Sequence, residues 1–221
     1  MRRVLPFVAL LAAACTTAPP QAAPDTASVP ATMTTTTVAP AELAPKRIRA
    51  AVLPANALER LGVTEPGTDS DRHRPQLPLP CAKPKTSGQD VFGYHVPFAR
   101  KWKNSRMEFN HLVTWYEDRT GAEAVAKTRE MAESCREYVY STRDVGDLTI
   151  HVTAPVDLPA PAGVSAAYAY CEDNGTNHAC WGLIAHGDLM ATLIVFSASH
   201  ERSLGAVADM LPDAAALLLK D

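Results

Sequence analysis

The side chains with the most chemistry to offer are five cysteines. Cys15 directly follows three alanines, and Cys81, Cys135, Cys171 and Cys180 are spread along the rest of the chain. A cysteine thiol can accept a lipid, close a disulfide, hold a metal ion or attack a substrate. The compartment decides among these uses, because disulfides form and persist mainly in oxidising spaces outside the cytoplasm.

The first residues have the composition of an export signal. Arg2 and Arg3 precede a short apolar run, and small residues follow directly before Cys15. This arrangement resembles the bacterial lipobox, in which the thiol receives diacylglycerol before the signal, residues 1–14, is removed. We therefore expect Cys15 to be the lipidated N-terminus, carrying acyl chains such as palmitate, at the extracytoplasmic face of the cell membrane. The alternative is an ordinary cleaved signal with an incidental cysteine.

The four remaining cysteines predict two disulfides in such a compartment. The dipeptide Asn174-Gly175 favours a tight turn, which places Cys171 and Cys180 near each other across a hairpin. This local pairing leaves Cys81 to pair with Cys135.

Metal binding and catalysis are the alternative uses of these residues, and their spacing argues against both. Neither cysteine pair has C-x₂-C spacing, and only His178 stands near a cysteine, so we predict no metal. The dipeptide His200-Glu201 begins like a zinc-protease motif, but Leu204 occupies the position of the second histidine. We therefore predict no catalytic residue, no cofactor and no enzymatic activity.

Aromatic side chains are the remaining candidates for contact with a ligand. With Cys171 opposite Cys180, the hairpin register places Tyr170 opposite Trp181, and it places Tyr168 on the same side of the sheet. Such residues either fill the core or line a groove between the sheet and a helix. The candidate ligand-lining residues are Trp115, Tyr168, Tyr170 and Trp181.

Charge excludes one class of partner. The chain has 21 basic and 24 acidic residues, and removal of Arg2 and Arg3 with the signal leaves 19 against 24, a net charge of −5. An acidic protein has no electrostatic attraction to phosphate backbones. We therefore predict no binding to nucleic acid.

Two regions follow the signal. Residues 15–45 consist of the lipidated Cys15 and a segment rich in Pro, Ala and Thr, which cannot bury enough apolar surface to fold and is predicted to be a disordered tether. Residues 46–221 have a length suited to one domain.

The elements of this domain follow from periodicity and caps. We predict a first helix from Pro54 that ends at Gly62, and then an irregular segment, residues 63–90. Two strands are predicted before the next helix, and alternation over 107–115 is typical of a half-buried strand. Thr120 and Glu123 have capping-box spacing, and the apolar face of the helix that they begin is predicted to extend to Tyr138.

The second half of the domain is predicted to be rich in strands. A strand over 148–152 precedes three hairpin-linked strands over 164–171, 178–186 and 189–197, the last buried on both faces. A final helix follows Ser199. The order β-β-α-β-β-β-β-α predicts an α+β fold with a mainly antiparallel sheet packed by helices and two disulfides.

The combined pattern resembles a known family. The lipobox, the tether, the loop with Cys81, the strand ending Thr114-Trp115-Tyr116-Glu117-Asp118 and the helix ending Ser134-Cys135-Arg136 are similar to PknH-like extracellular sensor domains of actinobacteria. The resemblance implies that residues 46–221 are a sensor domain for an unidentified small molecule or cell-envelope component. This chain lacks the kinase domain and membrane span of the receptor forms. The alternative is a structural lipoprotein that docks an envelope protein or polymer without a small-molecule pocket.

Overall fold

The computed structural model describes the C-terminal five-sixths of the chain, with three short gaps. The described residues are 40–70, 77–82, 86–142 and 146–220. They all belong to one unit. Cys15, the signal over 1–14 and the tether up to residue 39 lie outside these ranges.

The domain contains eight strands and four α-helices among the described residues. In chain order they are α1 (Pro40–Ala50), β1 (Thr68–Ser70), α2 (Gly88–Phe92), β2 (His95–Lys103), β3 (Met107–Tyr116), α3 (Gly121–Ser134), β4 (Glu137–Thr142), β5 (Gly146–Val152), β6 (Ala166–Asp173), β7 (His178–His186), β8 (Leu189–Ser197) and α4 (His200–Leu218).

All eight strands form one antiparallel sheet. Their order across the sheet is β1-β2-β3-β8-β7-β6-β5-β4. Helices α1 and α4 pack on one face, and α3 packs on the other over β6, β7 and β8. The predicted α+β fold with an antiparallel sheet is confirmed.

The centre of the sheet is formed by β3 and β8, which are buried on both faces. The continuous apolar run of β8 correctly predicts this position. The prediction of a half-buried β3 was wrong, because Asn110, Leu112 and Thr114 on the alternate face are also buried. His111 lies on the face that was predicted to be buried. The backbone N–H of Leu53 donates to His111 Nδ1 at 3.0 Å, so this polar side chain has a partner inside the core.

Helix α3 begins where its capping box predicts and ends earlier than its apolar pattern predicts. The Thr120 hydroxyl accepts from the backbone N–H of Glu123, and the Glu123 carboxylate accepts from the N–H of Thr120. The helix ends at Ser134, Cys135 has an extended backbone, and Tyr138 lies in β4. The periodicity cannot detect this end, because it depends on contacts made elsewhere in the chain, where Cys135 is bridged to Cys81 and Tyr138 packs against the core from β4.

The first helix lies earlier in the chain than predicted. Residues 40–45, which composition assigns to the tether, form the first half of α1, and Ala44 and Ile48 are buried. The segment after Pro54 contains only a 3₁₀ turn, Glu59–Leu61, although Gly62 ends it with a positive φ as predicted.

Both predicted disulfides are confirmed. Cys171 pairs with Cys180 in the β6–β7 register, with Cα atoms 4.1 Å apart. Cys81 pairs with Cys135 at a Cα separation of 6.1 Å, and this bridge joins the segment before α2 to the end of α3. Helix α4 continues through Pro212 without ending. No helix in the described ranges has the length and hydropathy required to cross a bilayer.

A clasp formed by Arg47, Trp115 and Asp188 fastens α1 to the sheet. Asp188 lies in the β7–β8 turn and accepts two hydrogen bonds from the Arg47 guanidinium, at 2.8 and 2.9 Å. It also accepts from Trp115 Nε1 at 2.7 Å. Partial burial raises the pKa of Asp188, but the bonds from Arg47 and Trp115 outweigh it and hold the pKa below its usual value. The clasp is therefore a charged, bidentate contact at neutral pH.

Candidate functional site

Three of the four candidate aromatic residues form one stack beneath α3. Tyr168 and Tyr170 are alternate residues of β6, and Trp181 lies opposite Tyr170 on β7, as the register predicts. The Tyr168 and Tyr170 rings have centroids 5.8 Å apart, and the Tyr170 and Trp181 rings lie 5.7 Å apart and nearly parallel. All three side chains are buried.

Trp115 does not join this stack. It lies on the opposite face of the sheet, in the core formed with α1 and α4, where its indole N–H is bound by Asp188. Side chains alternate between the two faces of the sheet along β3 as they do along β6. The sequence does not show which set of alternate β3 residues lies on the face of Tyr168. The four candidates therefore do not line one groove.

A buried carboxylate at the end of the stack was missed by the sequence reasoning. Glu172 is 7% exposed and accepts hydrogen bonds from the Tyr138 hydroxyl at 3.1 Å and from Trp181 Nε1 at 3.2 Å. Burial raises its pKa from 4.5 to about 7, and the two hydrogen bonds only partly oppose this effect. The alternation of Tyr168, Tyr170 and Glu172 could have predicted that the carboxylate shares their face.

A cavity of about 270 Å³ opens beside Tyr168, and we call it the Tyr168 cavity. It lies between the second half of α3, the outer edge of β6 and the segment after β5. Its lining residues are Arg129, Glu133, Pro155, Val156, Asp157, Leu158, Ala167, Tyr168, Ala169 and Leu211.

A break in strand pairing creates this cavity. Strand β5 pairs with β6 through only two residue pairs, His151 with Asp173 and Val152 with Glu172. The chain then follows the β6 edge through isolated backbone bonds, from Thr153 N–H to Cys171 O at 2.8 Å and from Val156 N–H to Ala169 O at 2.9 Å. Pro155, between them, has no N–H to donate. The β6 edge is consequently only partly covered.

The polar groups of the Tyr168 cavity carry both signs of charge. The Arg129 guanidinium lies 5.0 Å from the centroid of the Tyr168 ring and donates to Ala167 O at 3.2 Å. Its Nε is 4.0 Å from a Glu133 carboxylate oxygen, and Asp157 adds a second carboxylate. Such a cavity can present cationic and anionic groups to one small polar ligand.

The Tyr168 hydroxyl is a buried group without a hydrogen-bond partner among the described residues. Burial raises the pKa of this phenol, with the nearby Glu133 charge acting in the same direction. The hydroxyl therefore stays protonated, and its donor is unused among the described residues.

A second cavity, of about 380 Å³, is lined almost wholly by apolar groups. It lies between the Pro-rich loop before β6 and the last turns of α4, and its lining residues are Pro159, Ala160, Pro161, Ala162, Pro212, Ala215, Ala216 and Leu219. None of these side chains can donate or accept a hydrogen bond.

The described residues bring one group of possible metal ligands together. Cys171 Sγ, Cys180 Sγ and a ring nitrogen of His200 lie within 4.8 Å of one another. The sequence does not indicate that His200 lies beside these cysteines, because the contact joins α4 to a hairpin about twenty residues earlier. In the bridged state the two sulfurs are bonded to each other and offer no thiolate.

Comparison with known proteins gives a structural similarity and no sequence match. The chain matches no protein-family model and no curated protein sequence. Its structure is similar to the crystal structure of the extracellular domain of PknH from Mycobacterium tuberculosis, with a TM-score of 0.54 and 12% sequence identity over 80% of this chain and 96% of that domain. At this identity the similarity shows a shared fold.

Proposed function

We propose that this chain is a lipid-anchored, extracytoplasmic, sensor-like domain that binds a small ligand in the Tyr168 cavity. The observation that carries the proposal is a recess at a broken sheet edge, with an unpartnered Tyr168 hydroxyl and both signs of charge. The fold shared with the PknH extracellular domain supports a sensor-like role outside the cytoplasm. The small residues before Cys15 support the lipid anchor.

The composition of the cavity supports binding without catalysis. Its ten lining residues include no Ser, Thr, Cys, Lys or His, so the wall lacks a Ser–His or Cys–His pair of nucleophile and base. A volume of about 270 Å³ lies at the lower limit for ligand pockets, which favours a small molecule or one group of a larger envelope component.

Native mass spectrometry of the full chain isolated from its own membranes tests this proposal. We expect a bound small molecule in the wild type, and we expect its occupancy to fall at least tenfold in Arg129→Ala and in Tyr168→Phe. Lys127→Ala is the matched control, because it removes a cation from the same helix outside the cavity lining. Equal occupancy in all four proteins would exclude the Tyr168 cavity as the site.

Docking of an envelope protein is a second candidate function, and the β4–β5 hairpin favours it. This hairpin pairs with the rest of the sheet through two residue pairs only. Its residues Val139 and Tyr140 are 55% and 45% exposed to solvent. In membranes treated with a cross-linker, Tyr140→Ser should abolish a specific adduct if the hairpin docks a protein. An adduct that persists in this variant, or the absence of any adduct, argues for the ligand-binding role alone.

A further inference from the structure

We propose that the Cys171–Cys180 bridge is a redox-gated metal site, in which the two reduced sulfurs and His200 bind one zinc-like divalent ion. Closing the disulfide removes the site, and opening it creates the site. This inference is independent of the Tyr168 cavity, which lies at the opposite edge of β6.

The ligand atoms lie near one another, and after reduction the two sulfurs must move apart to reach the geometry of a zinc site. Tetrahedral zinc has ligand atoms roughly 3.5 to 3.8 Å apart, given bond lengths of about 2.3 Å to sulfur and about 2.0 Å to nitrogen. The three atoms here lie within 4.8 Å of one another. Cys171 and Cys180 are directly paired on neighbouring strands, so the backbone keeps both sulfurs on one face of the sheet after reduction.

His178 supplies a fourth ligand. It lies two residues before Cys180 on β7 and therefore shares the face of that cysteine. Its ring centroid is 5.8 Å from that of His200, and the two rings are nearly perpendicular. The Ser203 hydroxyl donates to the carbonyl of His178 at 3.1 Å, which fixes this backbone relative to α4. A change of side-chain rotamer brings the imidazole to the metal.

The position of His200 is also fixed by its surroundings. It is the first residue of α4, and the Ser199 hydroxyl caps the helix by accepting from the N–H of Arg202. Ser197 and Ser203 bind each other at 2.9 Å beneath this turn. A His2Cys2 set held on two strands and one helix start needs little reorganisation to bind an ion.

The redox step balances with a dithiol as reductant. One reductant thiolate attacks a sulfur of the bridge and forms a mixed disulfide, and its second thiol then releases the protein. The products are the oxidised dithiol and two cysteine thiols. Binding of the divalent ion then displaces both thiol protons, because thiolates are the ligands.

The Cys81–Cys135 bridge provides an internal comparison. The described residues place no third potential ligand within the same distance of it, so its reduction should create no equivalent site. A Cys81→Ser and Cys135→Ser variant therefore isolates the chemistry of Cys171 and Cys180.

Titration of the full chain with Co²⁺ tests the proposal, because cobalt bound by thiolates gives a charge-transfer absorption that counts them. After reduction and anaerobic removal of the reductant, one Co²⁺ per chain should bind with a two-thiolate band, and Zn²⁺ should displace it. The oxidised chain should bind none. The Cys81→Ser and Cys135→Ser variant should retain the full band.

Histidine variants decide the role of His200 without disturbing the bridge. His200→Ala should weaken Co²⁺ binding at least tenfold, whereas His186→Ala should bind like the wild type, since His186 lies at the far end of β7. If the oxidised form of each variant is folded, a loss of Co²⁺ binding after reduction cannot be attributed to the substitution preventing folding. Equal binding by both variants, or cobalt binding without a two-thiolate band, would overturn the proposal.

Discussion

Two buried titratable side chains, Glu172 and His111, lie on opposite faces of the sheet and respond to pH in opposite directions. Glu172 keeps its proton to higher pH in the fold than in the unfolded chain. Burial, with the charge of Arg100 in addition, lowers the pKa of His111 from 6.5 to about 3, so the folded chain takes up this proton late. Their contributions to stability oppose each other between about pH 4.5 and 6.5, and only single variants can separate them.

Replacement of Glu172 by Gln should remove one of these contributions. The pKa of Glu172 is raised in the fold, so its stabilising contribution is complete below pH 4.5 and is lost as pH rises to about 7. The shift corresponds to roughly 3 kcal/mol. Urea denaturation at pH 4.5 and 7.5 measures this effect. Relative to the wild type, the free energy of unfolding of the variant should be higher at pH 7.5 than at pH 4.5 by about that amount. A constant difference between the two proteins would mean that Glu172 is already ionised in the fold.

Replacement of His111 by Asn should have its effect on the acid side. The pKa of His111 is lowered in the fold, so its contribution is present above pH 6.5 and is lost as pH falls towards 3. Asn does not titrate, and its side-chain oxygen can still accept from the N–H of Leu53. As pH falls from 6.5 to 4, the free energy of unfolding of the variant should decrease by roughly 3 kcal/mol less than that of the wild type. Parallel loss in both proteins, measured by the same denaturation, would contradict a buried neutral imidazole.

At the scale of elements, short-range sequence signals predict local structure, whereas contacts between distant parts of the chain determine the features that the sequence does not predict. The cap at Thr120, the turn before His178 and the apolar run of β8 each specify local geometry, and these predictions are confirmed. The first half of α1 has tether composition and folds because Ala44 reaches the core.

The sequence predicts a possible groove between a helix and the sheet face of Tyr168, but the break in pairing that opens the Tyr168 cavity could not be predicted, for the same reason. It results from a missing stretch of pairing between β5 and β6, and no residue type marks such a gap in advance. Pro155 indicates only that the ladder is interrupted. The aromatic stack was predicted because a period of two and one hairpin register are sufficient to place Tyr168, Tyr170 and Trp181 together.

The seating of α3 on the sheet depends on Gly121. A Cβ at this position would collide with the backbone carbonyl of Leu189, whereas a Cβ at Gly205 in α4 meets nothing within 4 Å. Gly121→Ala should therefore destabilise the fold by about 2 kcal/mol or more. The control Gly205→Ala should stabilise it by roughly 0.5 to 1 kcal/mol, because alanine favours a helix over glycine. Thermal denaturation compares the two, and equal melting temperatures would show that α3 is not held against the β7–β8 turn.

At the scale of the whole molecule, we propose a lipid anchor at Cys15 and a folded domain that contains two disulfides. One disulfide constrains the segment before α2, and the other joins β6 to β7 inside a fully paired hairpin. The closed loop between Cys81 and Cys135 spans 54 residues. A bridge across a loop of that length contributes roughly 4 kcal/mol in the chain-entropy treatment.

The anchor itself gives a direct prediction. Cys15→Ala removes the thiol that would carry the lipid, so the protein should move from the membrane pellet to the supernatant after cell fractionation. A serine substitution at Cys81 is the matched control, because it removes a different cysteine and should leave the protein in the pellet. Retention of Cys15→Ala in the pellet would require another means of attachment.

The clasp of Arg47, Trp115 and Asp188 determines how mechanical force would enter the domain. A pull on the chain before α1 meets the buried Ala44 and then this clasp, which together hold the helix on the sheet. Helix α1 packs on β2 and β3, and three strand spacings, roughly 15 Å, separate β3 from β6. Tension applied before α1 should therefore be borne by α1 and the clasp, and the Tyr168 cavity should keep its shape.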